Sequence, residues 1–113
     1  MTEYNWGDVV LVSFAFADET GVKQRPTVIV SSGAYPQGRQ EAIIAAITSK
    51  IDRVLIGDHL IGDWHRAGLL FPSVATGLIR TIKQGMIVHR LGKLSRDDLK
   101  YVDKQLGIAL GIA

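Results

Sequence analysis

The 113-residue chain contains no cysteine. A disulfide framework, a thiolate metal site and a cysteine nucleophile are therefore excluded. Histidine is scarce as well: His59, His65 and His89 stand 6 and 24 residues apart. No pair has the i, i+4 spacing that sets two metal ligands on one helix face. The chain also lacks a glycine-rich phosphate loop, a nucleophile elbow and a paired-carboxylate motif. No run approaches the roughly 18 apolar residues of a membrane span. The opening Met1-Thr2-Glu3-Tyr4-Asn5-Trp6 has neither the basic start nor the apolar stretch of a signal peptide. Aromatic residues make up only 7%. A soluble cytoplasmic protein without contact to membrane is expected, and the length allows one domain over 1–113.

What is present is an ordinary globular composition, 47% hydrophobic and 21% charged, with a formal charge of +2. The charge is uneven. Residues 1–22 hold Glu3, Asp8, Asp18 and Glu19 and no Lys or Arg, whereas the remainder sums to +6. A basic body of this size suits a polyanion without requiring one.

Most of the chain reads as strands. Asp8–Phe14 and Pro26–Ser31 are rich in β-branched residues, the second with proline at its first position. Ser32–Gly38 is loop chemistry. Glu41–Thr48 is compatible with helix or strand, and the preceding Gly38 and the Ile43-Ile44 pair favour a buried strand. Val54–Ile56, Leu60-Ile61, Phe71–Ala75, Leu78–Ile82 and Met86–Leu91 are further short strands, with a turn over Asp63–Gly68. Seven or so short strands punctuated by Gly and Pro indicate a small barrel or sandwich. The chain then ends in a helix. Ser95 is its N-cap, Asp97 and Asp98 occupy the first turn, and Leu94 is placed to staple onto Leu99. Leu99, Val102, Leu106 and Leu110 line one face. The apolar end, Leu106–Ala113, is expected to pack on the barrel or on a second subunit.

Two positions carry the chemistry once the strands are placed. Arg25 ends the polar loop Gly21–Arg25, just before the Pro26 strand. Thr48 closes a buried strand and is followed by Ser49 and Lys50. A guanidinium fork and a hydroxyl at strand ends can converge on one phosphate. Equally, they can be a solvated loop charge and a strand-end hydroxyl.

The order Gly7-Asp8-Val9-Val10-Leu11-Val12, Phe14-Ala15-Phe16, Lys23-Gln24-Arg25-Pro26-Thr27-Val28-Ile29-Val30-Ser31-Ser32 resembles the opening of the PemK/MazF family of toxins. The match continues through Ile47-Thr48-Ser49-Lys50, Asp63–Leu69, Phe71-Pro72-Ser73, Ile87-Val88, Leu91–Ser95 and the terminal helix. Each piece is a weak motif, but the ordered set spans nearly the whole chain.

The resemblance implies a mainly β fold, a small SH3-like barrel with a C-terminal helix, assembled as a homodimer. It implies an mRNA interferase that cuts single-stranded RNA without metal or other cofactor and is held by a small acidic antitoxin. The family's arginine falls on Arg25 and its threonine on Thr48. Ser49, His65 and Arg80 are accessory candidates, and RNA contacts are expected from Phe14, Phe16, Lys23 and Lys50. Trp6, Tyr35 and Trp64 are further aromatic candidates. Better-known members carry an acid or an arginine where this chain has Ala75-Thr76-Gly77, so Arg80 or Thr81 is the candidate replacement. They also commonly place a proline between the two aromatics of Phe14-Ala15-Phe16. Metal-free cleavage would use the RNA's own 2′-OH and leave 2′,3′-cyclic phosphate and 5′-OH ends. In that scheme Arg25 stabilises the phosphorane and Thr48 donates to the phosphate or orients the 2′-OH. Two other readings keep the barrel: a non-catalytic module that binds a peptide or an acidic protein tail, and a toxin directed at DNA gyrase.

Overall fold

The computed structural model describes residues 4–15, 21–32 and 39–112. Phe16, Tyr35 and most of the Ser32–Gly38 loop lie outside the described residues. Six strands follow in chain order: β1 (Asp8–Ala15), β2 (Val22–Ile29), β3 (Glu41–Thr48), β4 (His59–Leu60), β5 (Val74–Lys83) and β6 (Ile87–Lys93). A 3₁₀ turn over Gln84–Met86 precedes β6, and α1 (Arg96–Leu110) ends the chain. All pairings are antiparallel, in the order β4-β5-β3-β2-β1-β6. The result is a mainly β, curled sheet with a C-terminal helix, the architecture expected of the toxin family.

The central strand shows why the sheet forms here. Along β3, Ala42 and Ile44 enter one apolar cluster, while Ala45 and Ile47 enter another on the opposite face. A strand buried on both faces must be apolar throughout, which is why Ala42–Ile47 carries no polar residue. One cluster joins Val9, Val28 and Ile47 to Val102 and Leu106 of α1. The other joins Val10, Val12 and Phe14 to Ile29, Ile44 and Ile82. Burying each such side chain contributes roughly 1.5–3 kcal/mol.

Between the sheet edges β4 and β6, the turn after Asp63 fills the gap. Gly68 has φ +77, and a Cβ there would run into the carbonyl of Leu91 on β6. Only glycine allows both that backbone angle and that approach. Gly7 adds a second tie, donating to Ile29 O at 2.8 Å and accepting from Leu94 N–H at 2.9 Å.

The helix starts as its sequence dictates. Ser95 accepts from the Asp98 N–H, Asp97 and Asp98 fill the first turn, and Leu94 is buried with Leu99 packed on the same cluster. Gly111, in the left-handed region, closes the helix with bonds to Gly107 and Ile108 carbonyls. The predicted apolar face is one turn too long. Leu110 is 54% exposed, because the sheet no longer reaches beneath the last turn after Leu106.

Four strand assignments change. β2 begins at Val22, so Arg25 lies inside a strand rather than at a loop end, and Pro26 pairs with Leu11. The β3 ladder starts only at Thr27, so Pro26 sits where β2 has a single neighbour and its missing N–H is tolerated. Val54–Ile56 is not a strand; its three side chains are all exposed. The short strand read at Leu60-Ile61 is observed one residue earlier, over His59–Leu60. Finally, Phe71–Ala75 and Leu78–Ile82 are not two strands. Phe71 and Pro72 precede a continuous β5, whose ladder is interrupted by a bulge that mimics a turn in the sequence.

Candidate active-site cleft

Strand alternation collects the first group of candidates. Val12 pairs with Arg25 and Phe14 with Lys23, so Lys23, Arg25 and Thr27 share one face of β2. On β3 the same face carries Ile44, opposite Ile29, and Ala46, opposite Thr27. Thr48, two residues beyond Ala46, keeps that face past the end of the β2–β3 ladder and pairs with Val74 of β5.

This face holds a cleft of about 410 Å³. Arg25 and Arg80 are its charged lining, with Phe14, Thr27, Leu78 and Ile79 among the rest. The Arg80 guanidinium lies over the Phe14 ring, 5.0 Å from its centroid, a cation–π contact that restrains a long side chain. Among the described residues no histidine or carboxylate lines the cleft. Thr48 follows the lining residue Ile47. Its hydroxyl oxygen accepts from the Lys50 N–H at 3.2 Å, which leaves the hydroxyl proton free to donate. Ser49 and Lys50 are exposed at the same strand exit.

His65 stands elsewhere. It stacks on Trp64, with ring centroids 3.7 Å apart, in the turn that packs toward β6. Trp64 packs against the helix-side cluster, and Trp6 donates to Asp103 at 2.6 Å; neither lines the cleft. Thr81 pairs with Ile43, one residue out of phase with Arg80, so alternation turns it to the other face. Thr76 is buried. Its hydroxyl donates to Ala46 O at 2.8 Å and accepts from the Leu78 N–H at 3.2 Å.

Sequence reading missed Leu78 and Ile79 as cleft residues. Both look like core in a strand of Leu and Ile, yet they are exposed, Leu78 at 73%. The available signal was Gly77, which interrupts the strand and marks a bulge.

A second polar centre lies on the helix side. Asp98, 4% exposed, accepts from Gly62 N–H (2.8 Å), Asp63 N–H (3.0 Å), the Ser95 hydroxyl (3.0 Å) and His59 Nε2 (2.8 Å). Burial pushes its carboxyl up, but the hydrogen bonds from His59, Asp63, Gly62 and Ser95 outweigh burial and hold it below 3.8. Tyr101 stacks on His59 at 5.4 Å. This centre pins the β4 loop to the start of α1. Among the described residues no three His, Asp or Glu side chains gather as metal ligands, and no helix is long and apolar enough to cross a membrane.

Comparison with solved structures agrees with the fold. The chain superposes on a MazE–MazF crystal structure from Deinococcus radiodurans with a TM-score of 0.82, 20% identity and complete coverage of both chains. An endoribonuclease in complex with its cognate antitoxin from a mycobacterial species gives 0.76 at 18% identity, covering 96% of each chain. The Mycobacterium tuberculosis toxin MazF-mt6 gives 0.76 at 19% identity, over 94% of this chain and 98% of that one. Residues 5–110 match the family model of PemK-like, MazF-like toxins of type II toxin–antitoxin systems, and the chain belongs to that family.

Proposed function

We propose that this toxin is an endoribonuclease that cuts single-stranded RNA within the Arg25–Arg80 cleft, the RNA's own 2′-OH acting as nucleophile. The observation that carries the reading is the pair of guanidiniums lining one cleft beside an aromatic ring. Two cations lining one cleft suit a backbone that bears one phosphate per nucleotide, and an aromatic face suits an unstacked base.

Arg25 would hold the scissile phosphate and stabilise charge as the pentacoordinate phosphorane forms. It remains charged throughout and so does not serve as base. Thr48, on the same sheet face past the end of the β2–β3 ladder, would donate its hydroxyl proton to the same phosphate or orient the 2′-OH. The 2′-oxygen forms its bond to phosphorus as the bond to the 5′-oxygen breaks, giving 2′,3′-cyclic phosphate and 5′-OH ends. Arg25, Arg80 and Thr48 act in this scheme by positioning and electrostatics, and among the described residues no histidine or carboxylate lines the cleft. Lys23 and Lys50, on either side, would lead the strand in.

The reading includes a homodimer, a cytoplasmic setting and an acidic antitoxin. A dimer is supported by an apolar surface where three segments meet at Gly57. Its backbone abuts Gly77 and Ala109, and around it Leu55, Ile56, Leu78, Ile79, Ile108 and Leu110 are all exposed. A surface of this kind is more often covered than left to water. Leu78 and Ile79 also line the cleft, so a second copy would border the RNA path.

The test is one incubation of wild-type and Arg25→Ala proteins with a long single-stranded RNA in excess EDTA, with breaks mapped by primer extension. Discrete cuts by wild type alone, ending in cyclic phosphate and 5′-OH, support the reading. Intact RNA in both tubes, with folded protein, overturns it in favour of a protein target. Cleavage of an all-deoxy strand would eliminate the internal nucleophile.

A further inference from the structure

The second guanidinium reaches the cleft only because β5 is irregular. Next to Val74, opposite Thr48, Ala75 pairs with Ile47 in regular register. Three residues, Thr76, Gly77 and Leu78, then face Ala46 alone before pairing resumes at Ile79–Ala45 and Arg80–Ile44. A regular ladder would have set Arg80 opposite Ala42. The two extra residues therefore carry Arg80 along β3 by about 7 Å, at roughly 3.4 Å per residue. The displacement runs toward the end of the sheet that holds Arg25, and a shift of two keeps the side chain on the cleft face.

The bulge is clamped from outside. The Asp58 carboxylate accepts from Gly77 N–H with one oxygen (2.8 Å) and from Leu55 N–H with the other (3.0 Å). Thr76 ties the inner side to Ala46 and Leu78. Gly57 lies directly against Gly77, and its N–H donates to Gln105 of α1 at 3.1 Å. Asp58 is thus the polar link between the bulge and the loop that braces it on the helix.

We propose that Asp58 is a positioning residue for RNA binding, fixing the Thr76–Leu78 bulge that delivers Arg80 to the cleft. It touches no substrate and acts through Arg80. The inference rests on the nuclease reading of the cleft.

A double-mutant cycle tests it. Wild type, Asp58→Ala, Arg80→Ala and the double variant are titrated with a 2′-O-methyl single-stranded RNA oligomer, which cannot be cut, across a salt series. Arg80→Ala should weaken binding roughly 10- to 100-fold, as expected for a charge-assisted contact. It should also lower the salt slope by about one phosphate contact. Asp58→Ala should reproduce part of the affinity loss and the lowered slope in the wild-type background. In the Arg80→Ala background it should change affinity less than about two-fold. Asp58→Asn keeps an oxygen for Gly77 N–H and should restore most of the binding. Should Asp58→Ala lose its cooperative melt, Thr76→Val at the same bulge takes its place in the cycle. Equal losses in both backgrounds, or no loss in either, overturn the proposal while cleavage by wild type leaves the nuclease reading standing. A wild type that neither binds nor cuts RNA overturns both.

Discussion

The two faces of the sheet treat their polar groups in opposite ways. On the helix side, the Asp98 carboxylate is nearly sealed from water and takes four hydrogen bonds from within the chain. On the cleft side, Arg25 is an exposed cation on the polar half of β2, and Arg80 is restrained by an aromatic face. A satisfied buried network stabilises the fold and is inert toward ligands. Cations held in place at a surface contribute little to stability and keep their capacity for an outside anion. Structure and chemistry are thereby separated by the thickness of one sheet.

Substitutions on each face sharpen that contrast. Asp98→Ala strands the Gly62 and Asp63 N–H groups and should destabilise the fold by about 3 kcal/mol or more. Chemical denaturation measures this, and a change below about 1 kcal/mol would show that the helix-side network is not structural. Arg25→Ala should do the reverse, cutting cleavage on the order of 100- to 1000-fold. Its unfolding free energy should stay within about 0.5 kcal/mol of wild type. Arg25→Lys, which keeps the charge without the fork, should fall between the two in single-turnover assays.

Acid gives a third handle on the helix side. The Asp98 carboxyl is held below 3.8 in the fold, so its contribution is complete above that pH and is lost as the pH falls through the folded value. Urea unfolding at successive pH values should show wild type losing stability below about pH 4. Asp98→Asn should lack that component of the slope.

Ser95→Ala removes the cap of α1 and one Asp98 partner, at a cost of about 1 kcal/mol in thermal or urea unfolding. The smallest expected effect on folding comes from Leu110→Ser, because that side chain is already half in water. Its readout is assembly: sedimentation should show weaker dimers while the isolated fold is unchanged. Undiminished dimers would place the subunit contact elsewhere.

Local chemistry was the part most legible in the sequence. The Ser95 cap and the apolar run of β3 each follow from a few adjacent residues, and each stands where it was expected. The placement of Arg25 and Thr48 was harder. Their shared face depends on the β2–β3 register, which no local pattern encodes, and the polar run Gly21–Arg25 reads as a loop by itself. Pairing with β1 overrides that preference along the whole segment. The bulge in β5 was only half legible, since Gly77 signals an interruption without saying of which kind. Thr76 and Gly77 look like a turn between two strands, and only the distant Asp58 makes them an irregularity within one. Leu110 shows the remaining limit, since helical periodicity reports which residues could share a face but not how far the neighbouring sheet extends.

The contact between Gly57 and Gly77 also sets how this protein can vary. At both positions an added methyl would press on the opposing backbone, at 3.3 Å from one side and 3.2 Å from the other, and Gly57 also has φ +96. Backbone cannot give way as a flexible side chain can, so the pair tolerates almost no drift. One residue further on, Leu78 projects into open space and makes few demands on the fold. A library built on this scaffold should therefore hold Gly57, Asp58, Thr76 and Gly77 constant and randomise Leu78 and Ile79. Its members would differ at the mouth of the cleft while sharing one foldable frame.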